Sequence, residues 1–409
     1  MTETLISVGW APTVRFMIYL DNSATTRQYD EVTELMYGAA KETFGNPSSL
    51  HALGFEASKQ IKAARQQVEK ALPSGRVVFT SGGTESDNMA LLSAVQKLKR
   101  RGRRIITSTV EHPAVSETCK RLKTLGFDVE YLPVDDKGFI SVKSLRDALT
   151  EDTIMISVMT VNNEVGTIEP INEISSEIRS YSKENGVEIF FHTDAVQAFG
   201  KLDLRGINAD MLSASAHKFH GPKGVGLLYM KDSLKLPPFI TGGGQENGYR
   251  SSTENTQGIL GMGLATEMAL KDLDKKIKYI GQVNNYLRDG LMSEIKDIRI
   301  NGPDKLGYSM KDAGLRCPSV LNVTFEGTRG EVLLHTLEQD GIFVSTGSAC
   351  SSNHPGVSPV LQAMKLNPKQ IEGAIRFSFS EFNTKEEMDI VIDKTKTAVE
   401  RFRKLGTYQ

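Results

Sequence analysis

Between residues 55 and 72 the apolar positions Ile61, Ala64, Val68, Ala71 and Leu72 recur at helical spacing, and Pro73, Ser74 and Gly75 follow them. The spacing predicts a helix with one buried face, stopped by turn-forming residues. Val77, Val78 and Phe79 form a short apolar run, followed by the turn SGGTES (81–86) and a second helical pattern reaching about Leu98. This reads as strand, glycine-rich turn, helix. Apolar or β-branched runs at 105–110, 153–161, 187–191 and 225–229 alternate with helical stretches at 114–125 and 171–184. Such alternation predicts an α/β fold, a mainly parallel sheet with crossover helices. From about residue 258 the rhythm changes to long helices up to 295, strands near 319–325 and 374–380, and a final helix from Lys385, with Thr384 and Glu387 placed as a capping box. A second domain is expected there, packed closely on the first because no repeat or low-complexity linker intervenes.

Composition narrows the function classes. A chain of 409 residues exceeds one small core, in keeping with two domains. Its net charge of -1 gives no general attraction to nucleic acid or to a membrane, which leaves small-molecule chemistry in front. The basic run KLKRRGRR (97–104) reads as a solvated helix end. Cys119, Cys317 and Cys350 are too few and too scattered for a disulfide framework or a zinc site, so a cytoplasmic location is expected. Residues 1–16 show neither a signal peptide nor a membrane span and are expected to be an N-terminal extension, with Met17 as a candidate natural start.

Candidate chemistry enters with Cys350. In VSTGSACSSNHPG (344–356) it stands among small, turn-forming residues that supply little apolar surface, which predicts a solvent-reachable loop. A reactive thiol belongs in such a place, and so does an incidental surface cysteine. Cys119, in a helical pattern, and Cys317, before Pro318, read as buried or incidental. In SASAHKFHGPKGVGLLYM (213–230), Lys218 follows a small-residue strand end and precedes a turn. Taken singly it reads as a surface lysine. In FFHTDAVQ (190–197), however, Asp194 follows an apolar strand, where a carboxylate can keep a pyridine nitrogen protonated. Gly83 and Thr84, at the start of a helix, offer N–H groups and a hydroxyl to an anion.

These motifs resemble, in order, those of the pyridoxal-phosphate cysteine desulfurases of the NifS/IscS type. The match runs from about Ile18 to the final helix, through YLDNSATT (19–26), FGNPSSLH (44–51), FTSGGTES (79–86), EHPAV (111–115), VNNEVG (161–166), TDAVQ (193–197), SAHKFHGPKG (215–224), GGGQENGYRSSTEN (242–255) and STGSAC (345–350). The resemblance implies the aspartate-aminotransferase fold: a large domain (31–258) with a mainly parallel seven-stranded sheet, and a smaller α+β domain built from both chain ends (17–30 and 259–409). It also implies a homodimer.

By the same resemblance Lys218 is the Schiff-base lysine for pyridoxal 5'-phosphate and Asp194 the partner of its ring nitrogen. His112 stacks on the ring and shuttles protons, while Asn163 and Gln197 address the phenolic oxygen, Asn163 also facing the substrate. Gly83, Thr84, Ser215 and His217 hold the phosphate, joined by Thr253 from the partner subunit. Arg376 receives the carboxylate of L-cysteine, and Arg250 lies near the mouth of the site or is structural. Cys350 takes the substrate sulfur as a persulfide and L-alanine leaves. The long segment from Cys350 to PVLQAM (359–364) resembles the long-loop group, which implies delivery to a sulfur-acceptor protein for iron–sulfur assembly or thiolation. Ser380 and Glu381 depart from the Gly-Arg of many relatives. A selenocysteine lyase or another pyridoxal-phosphate aminotransferase is the alternative enzyme, and a non-catalytic scaffold would lack the joint retention of Lys218, Asp194, His112 and Cys350.

Overall fold

The strand, turn and helix units assemble into one large sheet covered on both faces. The computed structural model describes residues 17–346 and 357–406. Among these residues the strands are β1 (Ile18–Tyr19), β2 (Arg76–Thr80), β3 (Arg104–Ser108), β4 (Asp128–Leu132), β5 (Thr153–Ser157), β6 (Phe190–Asp194), β7 (Met211–Ser215), β8 (Gly226–Met230), β9 (Ile298–Asn301), β10 (Val320–Phe325), β11 (Ile342–Phe343) and β12 (Ala374–Ser378). The large sheet has the order β2-β8-β7-β6-β5-β3-β4. β4, β3, β5, β6 and β7 are parallel, and β8 runs antiparallel to both neighbours. The pleat divides its side chains between two cores. Val77, Ile106, Phe191 and Leu212 enter one cluster, whereas Val78, Ile105, Phe190 and Met211 enter the other. With both faces covered, β5 to β8 are buried along their whole length, their Ser, Thr, His and Asp side chains included.

Beyond this sheet, β12, β10 and β9 form an antiparallel sheet, and β1 pairs in parallel with β11. The chain's first described strand is thereby tied to its last third, and Asp21 bridges Ser378. The long helical run expected up to 295 is two helices, Thr256–Leu270 and Leu273–Glu294. The break falls at Asp272, whose φ of 56° leaves the helical region without help from glycine or proline. The first helix packs on helices Asp30–Glu42 and Ala52–Glu69, the second on helix Lys385–Lys404. That last helix opens with the expected capping box: the Glu387 amide donates to the Thr384 hydroxyl at 3.3 Å and the Thr384 amide to the Glu387 carboxylate at 3.0 Å. The apolar run 153–161 is strand only to Ser157, because its remainder is a buried loop.

Candidate active site

Five strand ends converge. In an α/β sheet the carboxyl ends of parallel strands leave a crevice in which loops can place polar groups. β2 hands over to Gly83 and Thr84, β3 to the loop carrying His112, and β5 to the loop carrying Asn163. β6 ends in Asp194 with Gln197 one turn on, and β7 ends in Ser215, followed by a short turn of 3-10 helix, Ala216–Lys218. Gly83, Thr84, His112, Asn163, Asp194, Gln197, Ser215, His217 and Lys218 all line one cavity of about 200 Å³, together with Ser23, Asp87, Met159 and Val196. Asp194 is the last residue of its strand, one place earlier than the sequence pattern suggested.

One end of the cavity suits an anion. Helix Gly83–Leu98 presents its first N–H groups there, beside Ser215. A Cβ on Gly83 would lie 2.8 Å from the Val196 side chain, so only glycine lets backbone and neighbouring loop approach this closely. The other end is acidic. Carboxylate oxygens of Asp87 and Asp194 and a ring nitrogen of His112 lie within 4.8 Å of one another. Burial pushes the Asp194 carboxyl up, opposed by His112, by the Val196 amide that donates to Oδ1 at 2.9 Å and by Lys218. Burial raises Asp87 as well, reinforced by the charge of Asp194. A cation or a protonated ring nitrogen would be held well by such a pair.

Lys218 Nζ donates to the carbonyls of Ser23 at 2.7 Å and Ala24 at 2.8 Å, both in the turn after β1. Gln197 Nε2 also donates to the Ser23 carbonyl, at 3.0 Å, while its Oε1 accepts from Lys201 Nζ at 3.0 Å. The amide is therefore oriented by a buried cation. Lys201 itself is pushed down to about 8 by burial, opposed by Cys317 and assisted by the charges of Lys218 and Arg376. His112 plays two parts. Its Nδ1 accepts from the Ala114 amide at 3.1 Å and caps helix Pro113–Thr124, which leaves Nε2 to carry the ring proton. Burial holds this imidazole below its ordinary value, with Asp194 opposing and Lys218 assisting. His217 is held down to about 4 by burial and by Lys218, Lys223 and Lys201, so it acts as a neutral group.

Arg376 sits behind the Asn163 loop rather than on the cavity wall. It is buried, its Nη2 pairs with Asp21 at 2.8 Å and its Nη1 donates to the Asn163 carbonyl at 3.0 Å. Its Nε has no protein acceptor among the described residues. Thr253 is exposed and outside the cavity. Arg250 pairs with Glu85 at 2.7 Å on the helix that forms the anion end. Cys350 lies outside the described residues, whereas Cys119 and Cys317 are buried free thiols. Sequence reasoning passed over Asp21, Ser23, Asp87 and Lys201. Asp21 and Ser23 stand in YLDNSATT and Asp87 directly follows SGGTES, so adjacency to a motif was their signal; Lys201 had none.

Residues 18–391 match the aminotransferase class-V family, and the chain belongs to it. Within that family, this chain is 43% identical over 396 residues to the cysteine desulfurase IscS of Dictyoglomus turgidum, covering 96% of this chain and 97% of the relative. It is 42% identical over 393 residues to the cysteine desulfurase IscS of Methanosarcina thermophila, covering 95% and 93%. A solved NifS-like protein superposes with a TM-score of 0.85 at 37% identity over 94% of this chain and all of the other, and DndA from Streptomyces lividans with 0.71 at 32% over 89% and 99%. The fold is that of these pyridoxal-phosphate enzymes, and the cavity fits their cofactor. A phosphate would find the helix N-terminus and Ser215, and a protonated ring nitrogen would find Asp194, with Lys218 in the same walls.

Proposed function

We propose that this chain is a cysteine desulfurase: it takes the sulfur of L-cysteine onto Cys350, releases L-alanine, and passes the sulfur to an acceptor protein of iron–sulfur assembly or thiolation. The observation that carries this reading is the convergence of nine motif residues on one cavity with Lys218, Asp194 and an anion-binding helix end in the same walls. Pyridoxal phosphate, attached through Lys218, supplies an electron sink that acidifies the Cα–H of the bound amino acid.

The protein's own groups do the rest. Asp194 balances the ring nitrogen's positive charge, and the buried pair with Asp87 keeps that end acidic. Gly83, Thr84, Ser215 and His217 bind the phosphate. Lys218 would move the proton at Cα, and His112 Nε2 would serve a second proton transfer. Asn163 and Gln197 address the phenolic oxygen, the latter oriented by Lys201. Arg376 takes the substrate carboxylate, held ready by Asp21 and the Asn163 carbonyl. The Cys350 thiolate then attacks the substrate sulfur, the Cβ–S bond breaks, and one thiol plus cysteine becomes one persulfide plus alanine.

A homodimer is part of the proposal. Thr253 faces out of its own subunit's cavity, and Tyr37, Phe44, Leu50, Leu53 and Phe55 expose apolar side chains around the start of helix Ala52–Glu69 that a second copy would cover. We also place the protein in the cytoplasm, in keeping with its free buried thiols; no helix among the described residues is long and apolar enough to cross a membrane. The domain division is proposed as 31–271 against 17–30 with 272–409. The boundary expected at 259 falls inside helix Thr256–Leu270, which packs on the large-sheet side.

The test is product analysis of the purified protein with L-cysteine. With a dithiol reductant present to release the persulfide sulfur, alanine and sulfide in equal amounts are expected, and formation of a keto acid instead would replace this reading with transamination.

A further inference from the structure

The turn after β12 holds a carboxylate that the proposed reaction does not use. Glu381 is about four-fifths buried and faces three donors from three separate parts of the chain. The Tyr29 hydroxyl donates to Oε1, Lys276 Nζ lies 3.4 Å from Oε1, and His220 Nε2 lies 3.5 Å from Oε2. Tyr29 leads into helix Asp30–Glu42, Lys276 belongs to helix Leu273–Glu294, and His220 is two residues beyond Lys218.

His220 is the point of strain. Its φ of 65° is a conformation that a residue with a side chain adopts at a cost, so the surrounding contacts must hold it. Its amide donates to the Thr26 hydroxyl at 2.7 Å, its Nδ1 to the Arg27 carbonyl at 2.8 Å, and its carbonyl accepts from the Tyr29 amide at 3.1 Å. Its ring lies 4.7 Å from that of Tyr29 and edge-on to Phe382 at 5.2 Å. The turn 380–382 thus grips the imidazole with a charge and an aromatic face. Between turn and lysine loop lies a cavity of about 30 Å³, lined by Lys218, Lys201, Ser319 and Glu381. Arg376 stands five residues before Glu381, on β12 itself.

We infer that Glu381 is a positioning residue: by clasping His220 it fixes the loop of Lys218 against the strand of Arg376, and so sets the span between the cofactor's attachment and the substrate's carboxylate. The inference rests on the roles proposed for Lys218 and Arg376. A carboxylate suits the task because two oxygens can accept from all three donors, whereas a carboxamide offers one oxygen and turns an NH2 group toward another donor. Misplacement of reacting groups by about 1 Å can lower a rate on the order of a hundredfold, so a loosened clasp acts at a distance.

The holoenzyme of Glu381→Gln and of Tyr29→Phe should be compared with wild type by three readouts. These are the pH titration of the bound cofactor's visible band, hydrogen exchange of the amides at 219–221, and kcat and KM for L-cysteine. Glu381→Gln is expected to keep its cofactor, shift the titration midpoint by about half a unit or more, speed exchange at 219–221 about tenfold, and lower kcat/KM about tenfold. Tyr29→Phe, which leaves the His220 contact in place, should show the smaller change in each. A Glu381→Gln protein that melts earlier yet keeps the wild-type titration, exchange and KM would overturn the inference and leave Glu381 a purely structural group. If wild type forms no alanine from cysteine, the functional reading fails, while titration and exchange still decide on the clasp.

Discussion

Arg376→Ala offers the most quantitative test of the proposed substrate site. The guanidinium is buried, with Nη2 on Asp21 at 2.8 Å, Nη1 on the Asn163 carbonyl at 3.0 Å, and Nε without a protein acceptor. A charge-assisted hydrogen bond contributes about 1.5–3 kcal/mol, so one or two such bonds to a substrate carboxylate contribute about 3 kcal/mol. That corresponds to about a 150-fold loss in kcat/KM for L-cysteine. The variant also leaves Asp21 unpaired. Because the Asp21 side chain is 23% exposed it can rehydrate, and the stability cost should fall near the low end for a broken buried pair, about 3 kcal/mol. Loss of fold and loss of recognition are separated by a second substrate. Cysteamine lacks the carboxylate, so the variant should handle it about as well as wild type does, and the cysteine-to-cysteamine preference should shrink about 150-fold in the cycle. Equal losses on both substrates would refute carboxylate binding and make Arg376 a packing and pairing residue only.

Three further outcomes are expected. Lys218→Ala should abolish borohydride-reducible attachment of pyridoxal phosphate, and a retained covalent cofactor, read by mass spectrometry, would assign the attachment to another lysine. Cys350→Ala should bind cofactor and change its spectrum on adding cysteine, yet release almost no alanine or sulfide; wild-type turnover without an external thiol would remove Cys350 from the mechanism and favour a selenocysteine-lyase-like enzyme. Acid stability should report Glu381. Burial alone would raise its carboxyl, but the hydrogen bond and charge of His220, the Tyr29 hydroxyl and Lys276 together pull it down to about 2. A depressed folded value stabilises above the ordinary value near 4.5 and is lost as pH falls from there through about 2, a contribution of about 3 kcal/mol. The difference in urea midpoint between wild type and Glu381→Gln should therefore narrow from pH 6 to pH 3, and a constant difference would exclude the ion cluster as its source.

What the sequence determined by itself is local chemistry and its order. Strand-turn-helix units were legible around Val77–Phe79 and SGGTES because a buried strand and a glycine-rich helix start each have a short-range signature. The capping box at Thr384 was legible for the same reason. Lys218, Asp194 and Gly83 were each legible as groups at a strand end or helix start, whereas their meeting with His112 in one site was only implied by the resemblance. Other features had no local signal. The break at Asp272 uses neither glycine nor proline, and the edge strand Asp128–Leu132 alternates too weakly to stand out. Only the tertiary structure decided which distant groups meet. Asp21 pairs with Arg376 across 355 positions, Lys201 orients Gln197 from beneath the cavity, and Glu381 gathers Tyr29, His220 and Lys276. Pairings of this kind depend on how β1 and β12 pack beside the large sheet, and packing is a property of surfaces brought together by the whole chain, which no window of sequence contains.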